Sequence, residues 1–446
     1  MEVRISKGKN ISLKGSAEKV MSDFFSDTYS LKPTDFHGLK AKLSVQVGDS
    51  VLAGDSLFFD KNFEKIQFVS PVSGKIESII RGEKRKLLEI VIKANKKNRY
   101  KKYNLQGHQK YSNDKLKDLF FESGLWALIK QRPFSACPDP MRLPKSIFIS
   151  CFDSSPLAPD YDFILFNKQK EFQKGIDIIS SFCNGKIHLN VDGESDSDVF
   201  RKIKGVQLNK FFGPHPAGNV GVQIHHLDPI NKGDIVWTLS PQSLVTIGNF
   251  FLTGKYKNYK TIAVTGSEVK KPRYFNVFQG VNIFELLKGN LESGKKRFIS
   301  GNVLHGDSID EKGHVGFFED QITIIPEGDY FELFGWAMPG LKKYSFSRAF
   351  LSSLFPQKKI VLDTNMHGEE RAYVVSGQYE SVVPMDIFPV QLIKSILVED
   401  IELMEKLGIY EVAPEDFALC EFACTSKMPV QDILRHGLDL VKKECS

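Results

Sequence analysis

Three histidines and an aspartate in the middle of the chain are residue types that could hold a metal ion. His215 is followed by the pair His225-His226 and then by Asp228. Imidazole and carboxylate groups bind zinc or iron, but these residues lack the paired spacing of a helical zinc motif and have no cysteine nearby. We therefore expect ordinary loop histidines and no metal site.

The same stretch contains a glycine-rich loop, Gly213-Pro214-His215-Pro216-Ala217-Gly218-Asn219-Val220-Gly221. Closely spaced glycines let a backbone approach an anion or another chain segment. The dinucleotide fingerprint Gly-x-Gly-x-x-Gly directly after a strand does not occur in the sequence. A rigid structural loop is therefore predicted, with Gly213, His215, Gly218 and Gly221 as its principal residues.

Two cysteines near the C-terminal end, Cys420 and Cys424, bear a weak likeness to iron–sulfur ligands because a proline follows them. A cluster needs four thiolates, with tighter Cys-x-x-Cys spacing. Only Cys445 is close in sequence, and the other three cysteines are far away. Buried structural thiols at helical i,i+4 spacing are expected instead, and such sparse cysteines suit a reducing cytoplasm.

A modified lysine is a further chemical possibility, in the region from Gly38 to Lys93. This region reads as short strands separated by close turns, and Val47-Gly48-Asp49 with Ser70-Pro71-Val72-Ser73-Gly74 resembles the biotinyl/lipoyl barrel-sandwich family. That family attaches its swinging arm to a hairpin lysine, for which Lys61 is the nearest candidate. Its distance from Ser70 is longer than in the family, so a purely structural hairpin is favoured over lipoylation or biotinylation.

Alternating strands and helices follow. The pattern predicts a helix from Asp114 to Lys130 broken near Gly124, a proline-enforced extended loop after Arg132, and an α/β domain over 104–255 with a partly parallel, Rossmann-like sheet. The remaining elements predicted there are strands over 145–151 and 186–191 and helices over 170–182 and 196–204.

From Lys260 to about Pro326 the pattern of strand, turn, strand and short helix resembles the soluble-ligand-binding β-grasp (SLBB), opening on Val264-Thr265-Gly266. The tail after Ser345 combines one β-like stretch with amphipathic helices over 389–407 and 430–443. The fold class is therefore multidomain α/β and α+β. The predicted parts are an N-terminal segment (1–37), a lipoyl-like barrel-sandwich hybrid (38–95), the α/β domain (104–255), the β-grasp (256–330) and a mixed to helical C-terminal domain (331–446).

Length and charge exclude several classes of protein. A chain of 446 residues is too long to fold around a single hydrophobic core, so several domains are expected. The net charge of +6 is too small for this length to indicate a nucleic-acid-binding protein. The basic stretches 84–86 and 93–102 are expected to be a solvated hairpin tip and a linker, with docking on an anionic membrane or an acidic partner as the alternative. No apolar run is long enough for a transmembrane helix, and the start is not a secretory signal.

The order of these segments resembles the NqrA family, whose members are subunits of the bacterial sodium-translocating NADH:quinone reductase, over essentially the whole chain. The matching stretches are 54–57, 71–74, 81–85, 132–135, the Gly213 loop, 264–266 and 435–440. The resemblance implies a peripheral subunit on the cytoplasmic face of the bacterial inner membrane. Its partners would be the other subunits, especially the quinone-site membrane subunit NqrB, with ubiquinone or menaquinone as a possible ligand.

The family is similar in layout to the flavin- and NADH-binding subunit of complex I and to its counterpart in the Rnf complex. Those relatives hold FMN on a Gly-Gly-Ala-Gly-Phe-Pro loop, where this sequence has Glu122-Ser123-Gly124-Leu125-Trp126. Without those glycines, backbone amides cannot surround a flavin phosphate. We therefore expect no catalytic residue and no cofactor in this chain, with flavins and an iron–sulfur centre in partner subunits.

Family resemblance also links this subunit to quinone contact. Two loops, 31–39 and 126–139, could supply an apolar wall and donors for quinone carbonyls. The quinone-proximal candidates are Phe36, His37, Trp126, Arg132 and Phe134, with core packing and subunit contact as the competing explanation. Two other functions stay open, a self-contained dehydrogenase that binds NADH or flavin and a pure assembly scaffold.

Overall fold

The computed structural model describes residues 1–108, 111–195, 197–335, 338–341, 343–354 and 359–445, without the side chain of residue 445. The strands are β1 (Glu2–Arg4), β2 (Glu18–Asp23), β3 (Thr28–Leu31), β4 (Ala41–Leu43), β5 (Ser50–Val51), β6 (Ser56–Asp60), β7 (Gln67–Val69), β8 (Gly74–Arg81), β9 (Leu87–Ala94), β10 (Lys130–Arg132), β11 (Ser146–Ser150), β12 (Ile187–Asp192), β13 (Gln207–Phe212), β14 (Val236–Leu239), β15 (Tyr259–Thr265), β16 (Arg273–Phe278), β17 (Lys296–Ser300), β18 (Asp307–Ile309) and β19 (Gln321–Pro326). The α-helices are α1 (Asn113–Ser123), α2 (Tyr161–Leu165), α3 (Gln169–Ile179), α4 (Val220–Leu227), α5 (Pro241–Thr253), α6 (Ile283–Leu287), α7 (Gln378–Val382), α8 (Pro389–Leu397), α9 (Ile401–Lys406), α10 (Ala418–Ala423) and α11 (Val430–Cys445).

The α/β domain is built on a six-stranded sheet in the order β1-β13-β12-β11-β14-β10. All neighbouring strands are parallel except the edge strand β10, which runs antiparallel to β14. The central strands are buried apolar runs such as Ile147-Phe148-Ile149, as expected for a sheet covered on both faces. The predicted partly parallel sheet is confirmed.

Helices α3 and α5 of this domain cross with almost no space between their backbones. A Cβ atom at Gly175 would lie 2.2 Å from the carbonyl oxygen of Leu244, and one at Gly248 would lie 1.8 Å from that of Glu171. The predicted helix over 114–130 is confirmed as far as its break, since α1 ends at Gly124 in the left-handed conformation; a 3₁₀ turn follows over 125–128, and Lys130 already belongs to strand β10. The predicted helix over 196–204 is wrong for residues 197–204, which form turns, and Asp196 lies outside the described residues.

The barrel-sandwich module consists of a four-stranded sheet, β3-β9-β8-β5, and a three-stranded sheet, β4-β6-β7. Alternating apolar residues face the space between the sheets, and Leu57, Phe58, Ile90 and Ile92 are fully buried there. The turns at Gly48 and Gly54 have positive φ, as the sequence pattern requires. Lys61 is exposed in the turn between β6 and β7.

The β-grasp has a six-stranded sheet in the order β18-β17-β19-β15-β16-β2, with α6 against it. Its outer strand β2 comes from the N-terminal segment and runs parallel to β16. The first strand of that segment, β1, instead joins the α/β sheet beside β13. Residues 1–37 therefore do not form a separate unit, because they add strands to three domains, with β3 in the sheet of the barrel-sandwich module.

The tail contains α7 to α11, and no strand is present among its described residues beyond β19. The predicted β-like stretch after Ser345 is therefore wrong for the described part of that region. The predicted helix over 389–407 is divided in two, because Glu399 has a positive φ and Asp400 caps the start of α9. Leu392 and Ile396 of α8 pack with Leu434 and Leu438 of α11 in the tail core. None of the described helices is both long and apolar enough to span a bilayer.

Candidate functional site

Arg132 is one of several residues that join the α/β domain to the tail, beside Asn219 and His225. It ends strand β10 and is only 3% exposed. Its Nη2 atom donates a hydrogen bond of 2.5 Å to Oε1 of Glu415, and its Nη1 atom lies 3.8 Å from Oδ2 of Asp416. A buried guanidinium therefore holds two neighbouring carboxylates.

Burial and the nearby cation act in opposite directions on these two acids. Burial raises the pKa of Glu415, but the charges of Arg132, His305 and Lys130 together outweigh it and hold that pKa below the usual carboxyl range. Burial raises the pKa of Asp416, and Arg132 offsets only part of this increase. Breaking this contact by removing Arg132 would leave buried carboxylates without their counter-charge.

The glycine-rich loop lies on the other side of the same carboxylates. The amide of Asn219 donates to the main-chain oxygen of Glu415 at 2.9 Å and to Asp416 Oδ1 at 3.3 Å. A Cβ atom at Gly221 would lie 2.1 Å from Asp416 Oδ2, and one at Gly218 would lie 2.4 Å from the main-chain nitrogen of Ser154. The glycines thus bring this loop against protein groups of the tail and of the α/β domain.

The first part of the loop packs against the N-terminal segment. Gly213 has φ +127° and its Cβ position would lie 2.1 Å from the carbonyl oxygen of Ile5. The main-chain nitrogen of His215 donates to Asn10 Oδ1 at 2.8 Å. These contacts support the structural role predicted for the loop, which stays a prediction.

The His215 ring is buried and neutral. Ser154 Oγ accepts from the nitrogen of Gly218 at 2.8 Å and forms a second hydrogen bond with His215 Nδ1 at 3.0 Å, in which the imidazole tautomer decides the donor. Burial lowers the pKa of His215 to about 3, with a smaller effect from His305. Among the residues that the structure describes, no three His, Cys, Asp or Glu side chains are arranged to hold a metal ion.

His37 and Phe134 are two candidates that meet at the last helix of the tail. His37 Nε2 lies 2.6 Å from Asp439 Oδ1 of α11. Arg435 of the same helix donates from Nη1 to the carbonyl oxygen of Phe134 at 2.9 Å. We call the group formed by His37, Phe134, Arg435, Asp439 and Lys442 the α11 junction.

The α11 junction combines one partly exposed aromatic ring with several donors. Lys442 Nζ lies 5.9 Å from the centroid of the Phe134 ring, on the same helix as Arg435. Burial lowers the pKa of His37, and the charge of Arg435 lowers it further while Asp439 opposes them. Burial likewise lowers the pKa of Lys442. The junction therefore places Lys442 near the Phe134 ring and Arg435 at the main chain of the same residue, with His37 bound to the same helix through Asp439.

The other aromatic candidates lie in cores. Trp126 is fully buried, donates from Nε1 to the carbonyl oxygen of Pro138 at 3.0 Å and packs edge-on against Trp237. Phe36 is buried against Phe68, with 4.6 Å between the ring centroids. For these two residues the positions favour core packing, the alternative to quinone contact.

Residues 123–126, within the stretch compared above with the flavin loop of related subunits, are tightly packed against other parts of the protein. Ser123 and Leu125 are fully buried. A Cβ atom at Gly124 would lie 2.5 Å from Cγ2 of Val69, which belongs to the barrel-sandwich module. The one glycine at this place therefore serves close packing between two domains.

The tail cysteines are buried in apolar surroundings. Cys420 and Cys424 both belong to the tail core, and the hydroxyl of Tyr379 lies 3.0 Å from the sulfur of Cys424. Burial raises the pKa of Cys420 well above its ordinary value. These two thiols are fewer than the four that a cluster needs.

A cleft of about 300 Å³ lies at the carboxyl ends of β11 and β12, where open α/β sheets bind ligands. Its charged lining residues are Asp153, Asp160, Asp162, Asp192, Arg201 and Lys210. Four carboxylates against two cations do not suit a pyrophosphate, and the segment after β11 reads Cys-Phe-Asp-Ser-Ser-Pro without the glycines that would cradle one. The cleft therefore does not favour the dehydrogenase alternative.

Comparison with known proteins gives three matches to family models along the chain. They are the NqrA N-terminal barrel-sandwich hybrid domain at residues 3–95, the NqrA second alpha/beta domain at 111–256 and the NQRA C-terminal domain at 261–311. The chain is 35% identical to the A subunit of the Na(+)-translocating NADH-quinone reductase of Yersinia pseudotuberculosis serotype I, covering 99% of this chain and 100% of the relative. The chain belongs to the NqrA family.

Two further NqrA relatives agree with this membership. The protein from Hahella chejuensis is 35% identical and that from Pseudomonas aeruginosa strain UCBPP-PA14 is 34% identical, each over 99% of this chain and 100% of the relative. Among solved structures, a chain of an NAD+-reducing [NiFe]-hydrogenase aligns with a TM-score of 0.35 and 10% identity over 67% of this chain and 55% of its own. The family matches also confirm the predicted combination of barrel-sandwich, α/β and SLBB domains.

Several residues of this NqrA chain were missed as site candidates. Glu415 and Lys442 carry no sequence signal, because isolated charged residues on tail helices are ordinary. Arg435 and Asp439 did carry one, since they lie in the stretch RHGLDL that matches the family. Their i,i+4 spacing on a helix places both side chains on one face, which could have indicated a shared contact.

Proposed function

We propose that this subunit of the Na(+)-translocating NADH-quinone reductase supports quinone reduction at the cytoplasmic face of the inner membrane without a redox cofactor of its own. Electron transfer would be carried by flavins and an iron–sulfur centre in partner subunits. The α11 junction is the observation that carries the proposal. It would face the quinone-site membrane subunit NqrB.

The absence of a cofactor is supported by what fills the two places where related subunits hold one. At the flavin loop, Val69 lies where even one added methyl group at Gly124 would collide. In the tail, Cys420 is buried in a hydrophobic core that disfavours its thiolate. Neither place offers the amides or thiolates that a flavin phosphate or a cluster requires.

A quinone role is supported by the chemistry of the α11 junction. A quinone head group needs an apolar surface for its ring and donors for its two carbonyl oxygens. Phe134 offers a partly exposed ring, and His37, Arg435 and Lys442 supply N–H donors from two sides. Arg132 would act as a positioning residue, because it fixes the start of the loop that carries Phe134 against the tail.

The test uses the assembled complex with Phe134→Ala and Arg435→Gln. We expect the KM for quinone to rise severalfold, while NADH oxidation with a soluble artificial acceptor stays unchanged because that reaction ends before the quinone step. Arg201→Gln is the matched control, since Arg201 is an exposed arginine in an ion pair with Asp198.

Two outcomes would contradict the proposal. Unchanged quinone kinetics in both variants would remove the α11 junction from the quinone step. The other outcome is that the whole subunit dissociates from the complex in these variants, while the complex that stays intact shows normal quinone kinetics. That result would make the junction a contact between subunits and would favour the scaffold function.

A further inference from the structure

A long loop between the β-grasp and the tail helices carries many exposed apolar side chains. We call residues 331–362 the apolar-basic loop. Its described part contains one short 3₁₀ turn, Leu351–Leu354. Loops of this length without further secondary structure are uncommon in compact domains and are usually functional.

The two ends of the apolar-basic loop are fastened to each other. The main-chain nitrogen of Gly328 donates to Thr364 Oγ1 at 2.8 Å, and the hydroxyl of Tyr330 donates to Asp363 Oδ2 at 2.7 Å. Main-chain hydrogen bonds also join Ile360 to residues 12 and 14 of the N-terminal segment. The two ends of the loop therefore share one fixed base, and its middle is also held to the body where the Tyr344 ring packs against Phe422 and the Phe346 ring packs against the tail core.

Large apolar side chains of the loop point into solvent. Phe331 is fully exposed at 105% and Leu333 is 86% exposed, which is rare for residues of this size. Further members of this exposed group are Phe334, Met338, Leu341 and Leu354. Such a concentration of exposed apolar residues marks an interaction surface.

The charge of the loop indicates what it contacts. The loop has five basic residues (Lys342, Lys343, Arg348, Lys358 and Lys359), seven aromatic residues and a single acidic residue, Glu332, which forms an ion pair with Lys343. Arg348 and Lys359 are both exposed. Aromatic and aliphatic residues among cations are typical of segments that lie in the interface of an anionic bilayer.

We propose that the apolar-basic loop docks on the surface of an anionic lipid bilayer. The exposed apolar side chains would enter the headgroup region while Arg348 and Lys359 contact lipid phosphates. This surface is separate from the α11 junction, so the inference does not rest on a quinone role. It adds a direct lipid contact to the contacts that the chain makes with its protein partners.

The chain contains a built-in reporter for the test. Of its three tryptophans, Trp126 and Trp237 are fully buried in the α/β core, whereas Trp336 belongs to the loop sequence and lies outside the described residues. Purified full-length chain would be mixed with phosphatidylcholine vesicles or with vesicles containing phosphatidylglycerol, both carrying brominated acyl chains. We expect quenching of tryptophan fluorescence with the anionic vesicles, weakened by salt and abolished by Trp336→Phe.

Two loop variants separate the apolar and electrostatic parts of binding. Phe331→Ser/Leu333→Ser is expected to weaken vesicle binding at least about tenfold. Arg348→Glu/Lys359→Glu is expected to remove the preference for phosphatidylglycerol. The matched control is Met141→Ser/Phe166→Ser, which removes exposed apolar residues of 81% and 64% exposure outside the loop and should bind as the unaltered chain does.

Three results would overturn the proposal. The first is that the unaltered chain shows no lipid-dependent quenching, or that the loop variants bind vesicles as well as it does. The second is that the loop variants bind vesicles normally but fail to assemble with the membrane subunits, which would make the partner a protein. The third is a lipid-free dimer that the Phe331→Ser/Leu333→Ser change dissociates, which would make the partner a second copy of the chain.

Discussion

Replacing Arg132 by alanine tests how the α/β domain holds the tail. The substitution removes the cation that lies 2.5 Å from Glu415 and 3.8 Å from Asp416. Removing one partner of a buried pair costs about 3 to 5 kcal/mol, and the partial exposure of Glu415, at 31%, puts the expected loss at the lower end, about 3 kcal/mol. Asp416 keeps its bonds from Ala413 and Asn219, which limits the loss further.

Because the chain has several domains, one global free energy of unfolding is not defined for it. Hydrogen exchange measured by mass spectrometry instead locates the loss of stability in particular helices. A local loss of about 3 kcal/mol predicts that amides of α10 and α11 exchange on the order of 100-fold faster. Because Arg132 lowers the pKa of Glu415, its contribution is complete above the carboxyl's ordinary pKa of 4.5 and is lost as the pH falls below it. The difference between the two proteins should therefore be full at pH 7 and shrink in acid.

Arg201→Ala is the matched control for this experiment. Its ion pair with Asp198 is exposed on both sides, so its loss should cost no more than about 1 kcal/mol and should leave exchange in the tail unchanged. If Arg132→Ala left the exchange of α10 and α11 within about twofold of the Arg201→Ala protein, the buried pair would not hold the tail.

Three more predictions concern the glycine-rich loop and the α11 junction. Between pH 7 and pH 5 the region around His215 should lose about 2 kcal/mol of local stability that His215→Asn does not lose, because a buried imidazole with a pKa of about 3 instead of 6.5 is protonated only on unfolding. Hydrogen exchange of the α4 amides at both pH values, corrected for the pH dependence of intrinsic exchange, measures this, and an equal change in the two proteins would refute it. Gly221→Ala should destabilise the chain by at least about 2 kcal/mol, because its methyl group would collide with Asp416. Adding Asp416→Ala should cost less in the Gly221→Ala protein than in the unaltered one, and strict additivity in this double-mutant cycle would contradict the contact. Asp439→Asn should raise the affinity of the α11 junction for anions, because it removes the carboxylate beside His37. Titration with sulfate should then shift the NMR signals of the His37 ring, and an unchanged ring signal would contradict this prediction.

The sequence predicted the domain types because each has its own period and turn chemistry. Close Gly-Asp turns identified the barrel-sandwich strands, and alternating buried strands and helices identified the parallel sheet around Ile147-Phe148-Ile149. Two of the three strands of the N-terminal segment could not be assigned to their sheets, because β1 and β2 pair with β13 and β16, which lie far along the chain. Local patterns carry no information about such partners.

The candidate site was only partly predictable for the same reason. The proline after Arg132 predicted a loop, and the structure brings that loop to the tail. Whether an aromatic residue near it faces outward depends on packing between domains, so Trp126 is buried although Phe134 is partly exposed. The carboxylates that receive Arg132 are nearly three hundred positions further on, at 415 and 416, where no motif marks them.

The most direct test of the proposed function is the cofactor content of this subunit taken from the assembled complex. The complex would be purified, the subunit separated under mild conditions, and its bound flavin and iron measured against its protein concentration. We predict neither flavin nor iron in stoichiometric amount, with both retained by the partner subunits. One flavin or one iron–sulfur centre per chain would contradict the proposal that this subunit holds no redox cofactor of its own.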